Sequence, residues 1–316
     1  MKKLTLSLFL LILASLAIVP VLAEEAASGH YMPGALADCV DALPLKPGFT
    51  FVNIFSAYNG DTGVGREIPI IGTVGLNVEG TAFADCLLLL YTFKPKVLGG
   101  QCAALVSLPL AHLTIDADLV TPTGTVHRSQ SASGLGDIFF SPFAIGWKVK
   151  DCNIGAIMGF YAPTGKYERT NVANLGKNYW TVEPTFYVSY MGHKNMVELS
   201  LFTGVDFNTT NNETDYKTGT QWHVEGTVAK HWMTKSHAIW GIGANVYYYQ
   251  QITGDSGTGA KLGDFKGRSF GVGPALSFIK HTKKALIAAE VKWLPELSVE
   301  NRLKGNSFFG KLAFVF

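Results

Sequence analysis

Val197-Glu198-Leu199-Ser200-Leu201-Phe202-Thr203-Gly204-Val205-Asp206-Phe207-Asn208 is the stretch that decides the fold. Its odd positions are mostly apolar and its even positions mostly small or polar, the period of a strand with one apolar and one wet face. The same alternation sets Trp222, Val224 and Val228 against His223, Glu225, Thr227 and Ala229, and Ile287, Ala289, Val291 and Trp293 against Ala288, Glu290 and Lys292. It closes the chain with Phe308, Gly310, Leu312, Phe314 and Phe316 against Phe309, Lys311, Ala313 and Val315. Each run reaches about 10 residues, enough for a tilted membrane crossing. Strands of soluble sandwiches are nearer 5–6 residues, roughly half as long.

Twelve such segments are predicted, over 48–58, 76–93, 99–112, 135–149, 153–163, 179–191, 196–208, 220–232, 238–251, 267–279, 285–295 and 307–316. The connections between them alternate in length. The short ones are 94–98, 150–152, 192–195, 233–237 and 280–284, and they collect Lys and His. The long ones are 59–75, 113–134, 164–178, 209–219, 252–266 and 296–306. Short periplasmic turns facing long outer loops belong to outer-membrane barrels. The longest apolar stretch after residue 23, Cys86 to Val106, is cut by Lys94, Pro95, Lys96 and Gln101, so it is not a membrane helix. A closed barrel is the other structure that satisfies every backbone group in lipid. The predicted fold class is therefore all-β, a transmembrane antiparallel up-and-down β-barrel of about 12 strands of the bacterial outer-membrane type.

Composition agrees. Of 316 residues only 16% are charged, against about 25% in an average soluble domain. Lys+Arg (26) and Asp+Glu (24) nearly cancel, which argues against a nucleic-acid partner. Met1-Lys2-Lys3, the apolar run to Val19 and the small residue Ala23 before Glu24 predict a signal peptide over 1–23, an uncleaved anchor being the alternative. Residues 24–47 are expected to form a periplasmic N-terminal segment or a lumen plug, and 48–316 the barrel.

Lipid claims the apolar parity, because a Lys or Arg near the midplane of the lipid face costs about 2–4 kcal/mol. The other parity faces the lumen and supplies the permeation candidates: Glu183, Glu198, Asp206, Asn208 and His223, then Glu225, Glu290, Lys292 and Lys311. His223 is the one inward-facing strand histidine expected. Glu290 with Lys292, or Glu225 with Lys311, are the pairs expected to constrict the lumen. Tyr161, Tyr179, Trp180, Trp222, Trp232, Trp240 and Tyr247-Tyr248-Tyr249 gather near strand ends, as interfacial girdles do.

Gly134-Leu135-Gly136-Asp137 with Ser141-Pro142-Phe143, Tyr161-Ala162-Pro163-Thr164-Gly165-Lys166-Tyr167, and Asn174-Leu175-Gly176-Lys177-Asn178-Tyr179-Trp180 with Glu183-Pro184 form an ordered set of motifs. Asp206-Phe207-Asn208 with Asn211, Thr214-Asp215-Tyr216-Lys217-Thr218-Gly219, Tyr247 to Gln251, Asp255-Ser256-Gly257, Gly273-Pro274, and Asn301-Arg302 with Lys304-Gly305-Asn306 continue it. From about Pro47 to the end, the chain resembles the outer-membrane protein family named for the phenol meta-pathway of degradation. The resemblance implies a Gram-negative outer-membrane barrel passing small hydrophobic or aromatic compounds. Leu312, Phe314 and Phe316 resemble the C-terminal signal read by the barrel-assembly machinery.

The loop motifs single out Asp137, Asn174, Asn178, Asp215 and Tyr216, then Gln250, Gln251, Asp255 and Arg302. Asn, Asp and Gly at such places shape turns through their side chains or accept positive φ. The oxygen-rich runs 208–215 and 254–264 lack the twelve-residue EF-hand spacing, so no metal is assigned. No G-x-S-x-G occurs and no Ser/His pair is marked, so no catalytic residue and no cofactor are predicted. Cys39, Cys86, Cys102 and Cys152 are even in number in an oxidising compartment, and one or two bridges are expected, with Cys86 and Cys102 on adjacent strands. Twelve strands fall between eight, which side chains fill, and the roughly 16–18 that leave an open channel, so the lumen should be narrow. The function expected is passive transport in the bacterial outer membrane. The alternative is a structural or surface-displayed barrel, with an outer-membrane hydrolase further behind.

Overall fold

The computed structural model describes residues 28–39, 43–70 and 73–316, and no helix occurs among them. The expected leader, 1–23, and the first part of the 24–47 segment lie outside the described residues. Twelve strands close a cylinder: β1 (Gly48–Asp61), β3 (Thr73–Val97), β4 (Gly100–Thr121), β6 (Ile138–Val149), β7 (Cys152–Ala162), β8 (Thr181–Met191), β9 (Val197–Asn208), β10 (Gln221–Met233), β11 (Ala238–Gln251), β12 (Arg268–His281), β13 (Leu286–Glu300) and β14 (Lys304–Val315). Every neighbouring pair is antiparallel. β14 returns to β1, with Val315 opposite Thr50 and Lys304 opposite Asp61, so the cylinder itself has no open edge.

Two further strands decorate the rim. β2 (Glu67–Ile70) pairs with the upper part of β3, and β5 (Gly124–Leu135) with the upper part of β4. β4 changes partner half-way, pairing with β6 from Gln101 to Ser107 and with β5 from Leu110 to Thr121. The 113–134 connection, expected as a loop, is thus a hairpin standing above the barrel. The alternation Leu113-Thr114-Ile115-Asp116-Ala117-Asp118-Leu119 had the strand signal in it. Ile115, Ala117 and Leu119 pack with Ile68, Ile70, Val172 and Phe265 into a small outer core. The 296–306 connection is likewise shorter than expected, a turn of three residues between Glu300 and Lys304 that places Asn301 at φ 58°.

The lipid-facing parity is as read from the sequence. Phe186, Leu201, Val228, Ile242 and Val291 point outward, each more than 45% exposed to the surroundings of the barrel. Trp222 and Trp232 lie ten residues apart on β10, which at about 3.4 Å per residue and a tilt near 40° separates them by about 25 Å along the membrane normal, the height of an apolar band. Trp222 meets Tyr248 at 5.8 Å, and Trp240 meets Phe278 at 5.0 Å. The girdle is thinner than predicted, however. Tyr179, Tyr247 and Tyr249 are buried inside the barrel. With Tyr247 and Tyr249 turned inward, alternation leaves only Tyr248 of that run for the outward face.

The expected bridges are corrected too: Cys39, Cys86, Cys102 and Cys152 are all free thiols. Cys86 stands opposite Pro109, whereas Cys102 adjoins Ala103, which faces Thr92. The two thiols are offset by several residues along the ladder, far beyond the roughly 4.4–6.8 Å between Cα atoms that a disulfide spans.

Candidate functional site

The lumen is the site, and it is occupied by the chain's own N-terminal segment. Residues 28–39 run inside the barrel, and the acceptor that holds them is Glu225 on β10. Its Oε1 accepts from the Tyr31 hydroxyl at 2.6 Å and the Gly34 N–H at 2.9 Å. Its Oε2 accepts from the N–H groups of Leu36 (3.0 Å) and Ala37 (2.8 Å). Four donors on one carboxylate balance the cost of burying its charge.

Lower in the lumen, Asp38 receives the ammonium groups of Lys292 and, at 2.8 Å, Lys311. The Cys39 N–H donates to Glu290 at 2.6 Å. The expected pairs Glu290–Lys292 and Glu225–Lys311 are therefore not the ion pairs formed. The lysines turn to Asp38, and both glutamates hold backbone of the inserted segment, because that segment brings an anion and unpaired N–H groups into the centre. Burial alone would raise the Asp38 carboxyl, but Lys292 and Lys311 outweigh it and hold the group below its ordinary value.

A second cluster lies under Tyr31, whose ring stacks on His223 at 3.9 Å between centroids. His223 Nε2 lies 3.2 Å from Glu183 and 3.7 Å from Asp206. Donor atoms of these three buried residues fall within 4.8 Å of one another, the set among the described residues that is able to hold a cation. The imidazole already lies between both carboxylates. Gly204 makes room for it, since a Cβ there would sit 2.6 Å from His223 Cε1. Toward the other end of β10, His231 meets Glu198 at 2.8 Å, and Ser200 donates to the same carboxylate at 3.0 Å. His231 is thus a second inward histidine, which the parity of His223 and Glu225 extended by three steps would have found.

All nine lumen residues expected from sequence sit on the inner wall; Glu183, Glu198, Asp206, His223 and Glu225 are each no more than 3% exposed. Asn208 accepts from Thr181 at 2.6 Å. What sequence reasoning missed is the partner side: His30, Tyr31 and Asp38 precede the first alternating segment and carry no periodic signal.

Three loop motifs converge on Asp137. Its Oδ1 accepts the Gly165 N–H at 2.8 Å, its Oδ2 the Lys177 N–H at 2.6 Å, and His30 Nε2 lies 2.9 Å from the same Oδ2. Burial would raise this carboxyl, yet His30 and the two N–H groups bring it below its ordinary value. His30 is also 2.7 Å from Thr181 Oγ1 and stacked on Tyr161 at 4.7 Å. Other loop residues brace their own loop or fasten it to a neighbouring one. Asn174 accepts the Glu168 N–H, Asn178 (φ 60°) donates to Asn211, and Asp215 (φ 48°) accepts from Thr258. Asp255 accepts from Tyr216, from the Gly219 N–H at 2.9 Å and from Gln251 at 2.6 Å. Gln250 takes the Tyr248 hydroxyl at 2.8 Å, and the Arg302 guanidinium lies 4.3 Å over the Tyr249 ring. Protein donors thus occupy the carboxylates of the two oxygen-rich runs, at Asp215 and Asp255.

Two cavities remain beside the inserted segment. The larger, about 1230 Å³, extends from Leu175 and Lys177 at the outer loops to Lys283 and Lys284 at a short turn. Leu88, Leu90, Leu105, Ile157, Tyr187 and Phe202 give it apolar walls. The smaller, about 250 Å³, opens among the outer loops over Met32, Tyr58, Val172 and Arg302. Gly29, His30 and Lys177 border both, so the partition between them is built on His30.

A family model described as "Putative MetA-pathway of phenol degradation" matches residues 59–312. No curated protein matches the chain. Among solved structures, an outer membrane channel from Pseudomonas putida F1 is similar over 90% of this chain and 100% of its own, with 16% identity and a TM-score of 0.64. The β domain of the Bordetella autotransporter BrkA is more distant, at 11% identity over 86% of this chain and 100% of its own, with a TM-score of 0.45.

Proposed function

Since the chain belongs to that phenol-degradation family and folds as an outer-membrane barrel, we propose that it is a passive, non-catalytic channel for small hydrophobic or aromatic compounds. The observation that carries this reading is the apolar cavity of about 1230 Å³ that runs beside the inserted segment for most of the barrel's height. An aromatic ring burying about 150–250 Å² gains roughly 4–6 kcal/mol before the cost of association. That leaves affinities weak enough to release the solute. A hydrated ion finds no such compensation along walls of Leu, Ile and Phe.

Residues 28–39 act as the plug in this reading, and His30 as the partition a solute passes between the outer and inner cavities. Transport in this reading needs neither a cofactor nor a chemical step, and the buried His223 and His231 are each engaged with carboxylates of the lumen wall. Phe316, exposed at the end of the closing strand and hydrogen-bonded to Phe49, is left accessible to assembly factors.

Uptake of phenol and toluene by cells carrying or lacking the protein tests the proposal. Faster uptake with the protein, and faster still when residues 28–39 are deleted, is expected. Equal rates in all three strains would leave the barrel a structural or display scaffold.

A further inference from the structure

The ends and the middle of the large cavity differ in charge, and the difference points to the kind of solute it takes. In the middle, Leu43, Leu90, Ala144, Tyr187 and Phe202 form one apolar cluster. Every carboxylate on the cavity wall is engaged from within: Asp38 by Lys292 and Lys311, Glu290 by the Cys39 N–H, Asp137 by two backbone N–H groups, and Glu183 by Thr185 and His223. At the short-turn mouth, Lys46, Lys148, Lys283 and Lys284 border the same cavity and are exposed. Among the described residues none of these four is in an ion pair. Ala144 of that cluster and Lys148 are four residues apart on one face of β6, so their Cα atoms lie about 13 Å apart along the strand.

Among the described residues the mouth carries these four unpaired ammonium groups, while the neighbouring Asp151 is taken by His193 at 3.4 Å. A low-dielectric cleft with such a mouth focuses a positive potential into it. Resting on the channel reading above, we propose that the inner cavity selects amphiphiles bearing a carboxylate, aromatic or aliphatic monocarboxylates, over neutral compounds of the same size. The apolar body lies against Leu90, Tyr187 and Phe202. The carboxylate lies toward the short turns, where Lys148, Lys283 and Lys284 are the specificity-determining residues.

The test is calorimetric titration of the full chain in phosphatidylcholine nanodiscs at pH 7, with 4-butylbenzoate, the neutral 4-butylphenol and the cationic 4-butylbenzylamine. The benzoate is expected to bind about tenfold more tightly than the phenol and the amine least tightly, with the preference shrinking as salt rises from 50 to 500 mM, a range over which screening shortens from roughly 14 to 4 Å. In the combined variant K148Q/K283Q/K284Q the benzoate should fall to the affinity of the phenol, while phenol binding itself, unchanged, reports an intact barrel. Equal binding of benzoate and phenol to the native chain would overturn the selectivity and leave the channel reading standing, as would a preference that survives in the combined variant. Binding of none of the three probes would overturn both. Repeating the titration in phosphatidylglycerol nanodiscs distinguishes the remaining source of anions. A preference that persists supports a solute site, and one that vanishes assigns the lysines to lipid phosphates and overturns the proposal.

Discussion

Glu225 is the residue on which the inserted segment depends most. Replacing it by Ala removes the acceptor of the Tyr31 hydroxyl and three backbone N–H groups, and each buried donor left unpaired costs about 1–3 kcal/mol. Glu225→Ala should therefore undock residues 28–39 and raise single-channel conductance, with Glu225→Gln retaining part of the closure. A second residue-level expectation concerns pH. The Asp38 and Asp137 carboxyls are both held below their ordinary value of 3.8. A depressed carboxyl stabilises the docked state above that value and loses its contribution as pH falls through the folded-state value. Conductance should be flat from pH 7 to 5 on this account and rise below about pH 4, and Asp38→Asn should remove much of the acid response while raising the neutral baseline. A response setting in between pH 6.5 and about 5 would instead assign the docking to His30, whose imidazole is held by burial below its ordinary 6.5.

A single strand carries two solvents at once, and β9 shows it. Leu199, Leu201 and Phe207 face lipid while Glu198, Ser200 and Asp206 line the lumen. Leu201→Arg, near the middle of the strand, should cost about 2–4 kcal/mol in urea refolding into vesicles. Leu199→Ile, which keeps the lipid face apolar, should cost far less, and similar penalties for both would contradict the assignment of faces. The same alternation made strand existence and facing readable ahead of any coordinates, including the nine lumen positions. It left strand ends less certain, because β3 and β4 continue beyond the membrane band as ordinary hairpin strands and nothing in the pattern marks where lipid stops. It also assigned Tyr247 and Tyr249 to the girdle, where composition near a strand end outweighed the parity that buries them.

Closure of twelve strands makes a barrel too narrow to be empty and too wide to be filled by its own wall. The N-terminal segment fills the difference. Removal of residues 28–39 should leave a barrel that still shifts mobility on heating in gel electrophoresis, because each of the twelve strands of the cylinder remains paired to two neighbours. Its conductance should rise severalfold. A deletion variant that fails to fold would make the segment part of the assembly core instead of a plug.

Periodicity along the chain was enough to establish an antiparallel cylinder and its faces, since two-residue alternation is a local property; the alternation of short and long connections held except at the three-residue turn between β13 and β14. The order of the family motifs was equally plain to read, from Gly134 to Asn306. Distance in sequence hid the rest. Glu225 meets Tyr31 across 194 residues, and Lys311 meets Asp38 across 273. Those pairings follow from threading an aperiodic segment through a closed barrel. Which acid takes which lysine, which loops meet at Asp137, and where apolar space remains for a solute are consequences of packing in three dimensions. No local pattern encodes them, because the partners come together only once the cylinder has closed.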